Sequence, residues 1–333
     1  MEHQKVYIVV LNYNTWLDTI ECLQSLLQQQ FSLYEIIVVD NCSTNDSRCQ
    51  LLEWVKENMQ HIEGQEDSDF SVSEYKNSSF VSLERAENAI VHLVWSDKNG
   101  GYAYGNNIGI LYSRYHSSMH FIWILNNDTV VMPDTLLKLR SCFNKKGWNV
   151  GLVGCIQTYY SQPQKVQCLY GLFNSVWGIT KEQGVGIDIM DSDQYRGGPI
   201  DYLYGACLFT HTSVFDQVGL LSEDYFLYFE ELDFATRLKK EGLLLVCCFE
   251  TSILHKQGGS SGPDGKPMTF ITPFSDYNTF RSKFIFARKF YKSYIPLYLL
   301  VSCLQILHRV VKGKFRNATA VVKGIFNGLS ANY

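Results

Sequence analysis

The chain has 333 residues, 46% of them hydrophobic and 19% charged, with a net charge of −4 at neutral pH. That length accommodates one large α/β domain or two fused lobes, and the composition excludes a chain that is disordered throughout. The charge balance gives no global reason to bind nucleic acid.

In chain order, residues 6–11 read as a buried strand, 16–29 as an amphipathic helix and 35–40 as a second buried strand. Residues 43–56 read as a helix capped by Ser43, Thr44 or Asn45. Continuous β-branched runs separated by helices imply a parallel sheet covered on both faces. From 58 to 88 small polar and charged residues dominate, which predicts a surface insertion. Strand character returns at 90–95 and 121–125, whereas 151–198 shows no long element. A strand over 202–210, a helix over 230–241, a strand over 243–249 and two C-terminal helices complete the pattern.

The last segment has a 14-residue apolar run at 294–307, with Arg288, Lys289 and Lys292 before it and Arg309, Lys312, Lys314 and Arg316 after. Two readings stay open there: a helix lying in a membrane interface, or a helix docked on the protein's own core. No run of 18 uninterrupted apolar residues occurs. The ten cysteines form no C-x-x-C pair, which argues against a zinc site. With a strand starting almost at the N-terminus and no signal-peptide pattern, they lead us to expect a reducing cytoplasm.

Five clusters carry chemistry. The first two strands end in Asn12-Tyr13-Asn14 and in Asp40-Asn41-Cys42-Ser43. Ligands of open α/β sheets bind at carboxyl strand ends. There Asp40 either accepts the imide N–H of a pyrimidine or caps its own turn. Asn99-Gly100-Gly101 leads on to Asn106-Asn107, an arrangement that lets backbone approach a ligand closely. Asn126-Asn127-Asp128 follows a strand directly, a seat for Mg²⁺ or Mn²⁺ on a diphosphate. Glu230, Glu231 and Asp233 open a helix behind an aromatic run. Asp233 can pair with Arg237 one turn on, which leaves Glu230 or Glu231 to act as a general base. His255 precedes a Gly-rich loop and is a candidate second metal ligand.

These motifs, in this order, resemble glycosyltransferase family 2, in its rhamnosyltransferase-like branch, over roughly residues 6–292. The resemblance implies a GT-A type α/β fold. A Rossmann-like nucleotide-sugar half (1–130) with a mixed central sheet would be fused to an acceptor half (131–290), with a helical, membrane-associating segment at 291–333. It implies that Asn12, Tyr13, Asn14, Asp40, Asn41, Ser43, Asn99, Gly100, Gly101, Asn106, Asn126 and Asn127 bind the nucleotide-sugar. Asp128 and His255 would hold Mg²⁺ or Mn²⁺, and Glu231, with Glu230 as the alternative, would be the base. Asp233, Arg237 and Arg281 fall to structural or acceptor-side roles. The implied reaction is an inverting transfer to a glycan or lipid-linked glycan in surface polysaccharide synthesis, from dTDP-rhamnose by preference or from a UDP-sugar. The rival enzyme, a nucleotidyltransferase, needs a Gly-rich basic loop after the first strand, and residues 12–16 contain none. A non-catalytic glycan-binding protein would have no use for the acids and His255 together.

Overall fold

The computed structural model describes residues 4–58, 79–84, 90–116, 119–147, 149–256 and 272–331. The aliphatic runs of the N-terminal half become β1 (Val6–Asn12), β2 (Tyr34–Asp40), β3 (Ser79–Glu84), β4 (Ile90–Trp95) and β5 (Phe121–Asn126). β1 lies parallel between β2 and β5, and β4 is parallel to the far side of β2. β3 pairs antiparallel with β4. Part of the stretch expected as a surface insertion is therefore an edge strand; 59–78 and 85–88 lie outside the described residues.

Alternate β1 side chains enter two cores. Val6, Ile8 and Val10 pack with Cys22, Leu23 and Leu26 of α1 (Trp16–Leu26) and with Leu51 and Val55 of α2 (Ser47–Asn58). Tyr7 and Val9 face Ala103, Ile108 and Tyr112 of α3 (Tyr102–His116). Each fully buried aliphatic side chain contributes about 1.5–3 kcal/mol, and helices on both faces allow every strand position to do so. α2 starts later than expected because Ser43 and Thr44 are occupied in a cross-strand turn with Asn14.

The second half supplies β6 (Thr129–Val131), α4 (Thr135–Lys146), β7 (Val150–Tyr159), β8 (Gln162–Cys168), β9 (Gly171–Asn174) and β10 (Ile179–Glu182). β11 (Cys207–His211), α5 (Ser213–Val218), α6 (Glu230–Lys240) and β12 (Leu244–His255) follow. Three C-terminal helices end the described chain, not two: α7 (Pro273–Phe290), α8 (Ile295–Val311) and α9 (Phe315–Ser330). β7 is ten residues long and buried along nearly all of its length, in a region where no long element was expected. Gly151, Gly154, Gln157 and Thr158 break its apolar pattern. Gly154 is needed because a Cβ there would press on Leu203 and the Cys207 carbonyl. Cys142 and Cys248 converge with Glu250 across α4 and β12, a grouping that no local spacing signals.

The main sheet runs β3-β4-β2-β1-β5-β11-β7-β12-β6. From β1 the chain passes first to β2 on one side and later to β5 on the other. This reversal opens a crevice at the carboxyl ends of these strands.

Candidate active site

At the strand ends Asn12 stands beside Asp40. Asn12 Nδ2 donates to Asp40 Oδ2 (2.7 Å) and to Ser43 Oγ (3.2 Å), and its Oδ1 accepts from the Thr19 hydroxyl (2.8 Å). Asp40 also accepts from the Ser43 backbone N–H (2.9 Å) and hydroxyl (2.6 Å). Two of roughly four lone-pair sites on this carboxylate thus close its own turn and a third ties it to β1, leaving one. Asn12 is wholly buried and joins the two strand ends. Asn41 is buried too, its Nδ2 donating to Asn99 Oδ1 and to the Gly101 carbonyl, both at 3.0 Å. Asn127 Nδ2 donates to the hydroxyls of Thr15 (2.7 Å) and Thr19 (2.8 Å). Tyr13 stays exposed, and Asn14, Ser43, Asn99, Gly100 and Asn126 are half-buried on the rim.

The paired glycines make a close approach within the protein itself. Gly101 has φ +92°, and a Cβ on it would strike the Phe226 carbonyl. That carbonyl accepts from the Tyr102 N–H at 3.0 Å, so the glycines dock this loop on the segment preceding α6. Asn106 and Asn107 lie inside α3, buried. Asn106 Nδ2 donates to the Tyr102 carbonyl, and Asn107 Nδ2 to the Leu221 carbonyl and Glu223.

Asp128 and His255, 127 positions apart, are brought together by pairing alone. β6 begins one residue after Asp128 and runs antiparallel to β12, with His255 opposite Thr129. His255 Nε2 lies 3.3 Å from Asp128 Oδ1, and Asp128 is buried. On the other side of the ring Gln167 Oε1 sits 2.6 Å from Nδ1 and holds the proton there. Nε2 is then the ring nitrogen turned toward the carboxylate, 3.3 Å away. Adjacent ligands of a small divalent cation, each at about 2.0–2.1 Å from it, stand about 3 Å apart, so the pair fits such an ion. Gln167, in β8, belongs to the region without a recognisable sequence pattern and had no signal of its own.

The acidic cluster divides in two. Asp233 is fully buried and accepts from Arg237 Nε (2.6 Å), Tyr225 Oη (3.0 Å) and Lys289 Nζ (3.2 Å). Arg237 also donates to the Val218 and Leu220 carbonyls. This pair is structural, clamping α6 to the loop behind α5. Among the described residues Glu230 and Glu231 have no such cation, and each keeps one buried carboxylate oxygen without a partner. Burial, then the charge of Glu231, raises the Glu230 pKa well above the carboxylate range; burial pushes Glu231 up to about 7. Burial and the charges of Glu230, Glu231 and Asp128 also raise the Tyr102 phenol. Tyr102 ties the two regions together: its N–H bonds the Phe226 carbonyl just before α6, and its hydroxyl donates to the Gly205 carbonyl (2.6 Å), next to Ala206, whose carbonyl accepts from the Asn126 N–H.

Tyr228 (φ +69°) and Phe229 (φ +72°) lead into α6, and Asn14 and Cys42 (both φ +60°) follow β1 and β2. These are the four non-glycine residues with positive φ among the described residues, two at the carboxyl ends of β1 and β2 and two at the start of α6. Left-handed backbone costs about 1–3 kcal/mol at a bulky residue and concentrates at functional sites. Beside Phe226 an open cleft of about 480 Å³ is lined by Gly100, Glu223, Phe274, Tyr277 and Arg281 among others. Arg281 lines this cleft and donates to the Asp224 carbonyl at 3.0 Å. The Gly-rich residues after His255 lie outside the described residues.

Residues 7–72 match the model of glycosyl transferase family 2. The low-salt glycan biosynthesis hexosyltransferase Agl10 of Haloferax volcanii is 22% identical over 246 residues, covering 72% of this chain and 76% of its own. The N-acetylglucosaminyl-diphospho-decaprenol L-rhamnosyltransferase of Mycobacterium tuberculosis is 41% identical over 66 residues, 20% of this chain and 22% of its own. Among solved structures, GalNAc-T7 with UDP, GalNAc and Mn²⁺ superposes with a TM-score of 0.60 at 12% identity. The match covers 87% of this chain but 49% of that one. The mannosyltransferase PcManGT of Pyrobaculum calidifontis, with GDP-Man and Mn²⁺, gives a TM-score of 0.52 at 13% identity over 98% of this chain and 87% of its own. At these identities the likeness to the solved structures is one of fold.

Proposed function

We propose that this chain, a family 2 glycosyltransferase built on the GT-A fold, transfers a hexose from a nucleoside-diphosphate donor to a glycan hydroxyl by single displacement with inversion. One observation carries the reading: a carboxylate–imidazole pair fit for a cation (Asp128, His255) shares a crevice with a separate buried carboxylate poised near neutrality (Glu231). Asp128 and His255 would hold Mg²⁺ or Mn²⁺, with Gln167 fixing the imidazole tautomer. When bound, that ion supplies charge neutralisation for the departing diphosphate. The Mn²⁺ in both solved neighbours supports the choice.

Glu231 accepts the proton of the acceptor hydroxyl as its oxygen bonds to the anomeric carbon and the bond to the diphosphate oxygen breaks, its electron pair leaving with the diphosphate. With Glu231 acting as base and the acceptor oxygen itself attacking the anomeric carbon, a single displacement inverts the configuration. Asp40 has one lone-pair site left for the imide N–H of a pyrimidine base, which supports a dTDP- or UDP-linked donor. The local similarity to a rhamnosyltransferase favours rhamnose and a lipid-linked acceptor. The cleft at Phe226, Tyr277 and Arg281 suits the acceptor.

A donor panel (dTDP-rhamnose, UDP-hexoses, GDP-mannose) tests the proposal, with Mn²⁺ and proton NMR of the product. One donor should be consumed, EDTA should stop the reaction, and the new linkage should have the opposite anomeric configuration. A retained configuration, or a full rate in EDTA, rejects the mechanism.

A further inference from the structure

α8 and α9 turn their apolar rows away from the protein. On α8, Leu300, Leu304, Leu307 and Val311 follow one another at helical spacing on one face, and on α9 Phe315, Val322 and Phe326 do the same. Their exposures run from 52% at Val322 to 78% at Val311. Each helix also packs an inner apolar row on the domain, Tyr298, Leu299 and Ile306 in α8 and Val321, Ile325 and Leu329 in α9; a helix on a water-soluble body carries that inner stripe and a polar outer face, so the outer rows are surplus. The helical stretch Lys292–Val311 has 20 residues and a mean hydropathy of 1.5, and 11% of its apolar window is buried. It is longer than the run the sequence marks out, and long and apolar enough to cross a membrane.

Its inner face, however, is fastened to the domain. Tyr298 Oη donates to the Ser175 carbonyl at 2.7 Å. Arg309 grips the buried Asp276 of α7 through two hydrogen bonds, 2.9 and 2.5 Å, and Asn317 of α9 adds a third at 2.8 Å. Gly324 and Gly328 let α9 press on the α7 backbone, where any Cβ would strike the carbonyls of Tyr277 and Arg281. A helix held in this way lies along the domain and does not thread a bilayer.

Charge identifies what covers the exposed face. Residues 277–333 carry ten Lys or Arg and no Asp or Glu, in a chain whose net charge is −4. Lys312, Lys314, Arg316 and Lys323 are exposed beside the two apolar rows. Apolar rows rimmed by cations are the signature of a helix seated at the headgroup–acyl boundary of an anionic membrane.

We propose that α8 and α9 form a docking platform for an anionic lipid surface, the Leu, Val and Phe rows entering the boundary region while the four cations meet lipid phosphates. The inference goes beyond the transfer reaction and does not depend on which donor is used. α7 carries both the pin at Asp276 and the cleft residues Tyr277 and Arg281, so the platform fixes the distance between that cleft and the bilayer.

Flotation of the full chain with vesicles tests this, using phosphatidylcholine alone against phosphatidylcholine with phosphatidylglycerol, at low and high salt. The protein should float with anionic vesicles at low salt and be released at high salt. Lys312→Gln, Lys314→Gln, Arg316→Gln and Lys323→Gln together should lower partitioning about 10²–10³-fold. Leu304→Gln, Leu307→Gln and Phe326→Gln together, which leave the net charge unchanged, should lower it about tenfold or more. A rise in melting temperature with nucleoside diphosphate and Mn²⁺, equal in wild type and variants, shows that the variants are folded. It also separates failure here from failure of the transferase reading. The proposal is overturned if the wild type ignores anionic vesicles at low salt, or if the apolar triple variant floats as the wild type does. It is equally overturned if light scattering without lipid shows a dimer that the triple variant dissolves, since a second copy would then cover this face.

Discussion

Glu231→Gln should make the protein more stable and almost inactive. Burial moves this carboxyl from 4.5 to about 7, so the folded chain binds the proton more tightly than the unfolded chain. The proton-linked stability is complete below pH 4.5. It is lost as pH rises to about 7 and stays lost above, a deficit of about 3 kcal/mol at about 1.4 kcal/mol per pH unit. Gln keeps the shape and has no charge to bury. In urea unfolding with EDTA present, the variant should exceed wild type by about 1–3 kcal/mol at pH 8 and converge with it near pH 4.5. Turnover should fall on the order of 10²–10⁴-fold, because the amide cannot take the acceptor proton, with donor binding little changed. Wild-type turnover should itself decline below pH 7 as Glu231 protonates. Equal stabilities at pH 8 would refute the buried-charge argument. If Glu230→Gln lost more turnover than Glu231→Gln, the base would move by one residue.

The metal pair gives a second expectation. Asp128→Ala should abolish the Mn²⁺-dependent rise in melting temperature, and Gln167→Leu should weaken Mn²⁺ binding about 10–100-fold by freeing the His255 tautomer; an unchanged Mn²⁺ response in both would remove the ion from this site. Asp40→Ala should cost about 1–3 kcal/mol of stability by orphaning Asn12 Nδ2 and the Ser43 N–H, and it should weaken nucleoside-diphosphate binding about tenfold or more. A stability loss with unchanged affinity by calorimetry would leave Asp40 a turn residue only. Lys283, buried in α7 among Phe280 and Tyr298, is lowered from 10.5 to about 8 by burial. Its contribution is complete above pH 10.5 and lost as pH falls to about 8. Lys283→Met should therefore raise stability at pH 7 by up to about 3 kcal/mol and leave it unchanged near pH 10.5. A loss at pH 7 would mean the ring contacts outweigh the burial.

Much of the N-terminal half was legible along the chain because its information is local. Unbroken aliphatic runs such as 35–40 announce strands buried on both faces, and Asp40, Asp128 and Glu230–Glu231 stand where those elements end or begin. β7 was not legible, since its glycines and amides fit only the surfaces that surround it in space. Residue type also failed to separate contact from support. Asn12, Asn41 and Asn106 look like ligand-binding amides, yet they are buried holding strand ends, a loop and a helix. Only the register of β6 on β12 brings His255 to Asp128, and only β8 brings Gln167 to His255. At the C-terminus helical spacing shows which residues share a face. Which face turns outward is decided by the pin at Asp276, because a period along the chain has no reference direction until another part of the protein occupies one side.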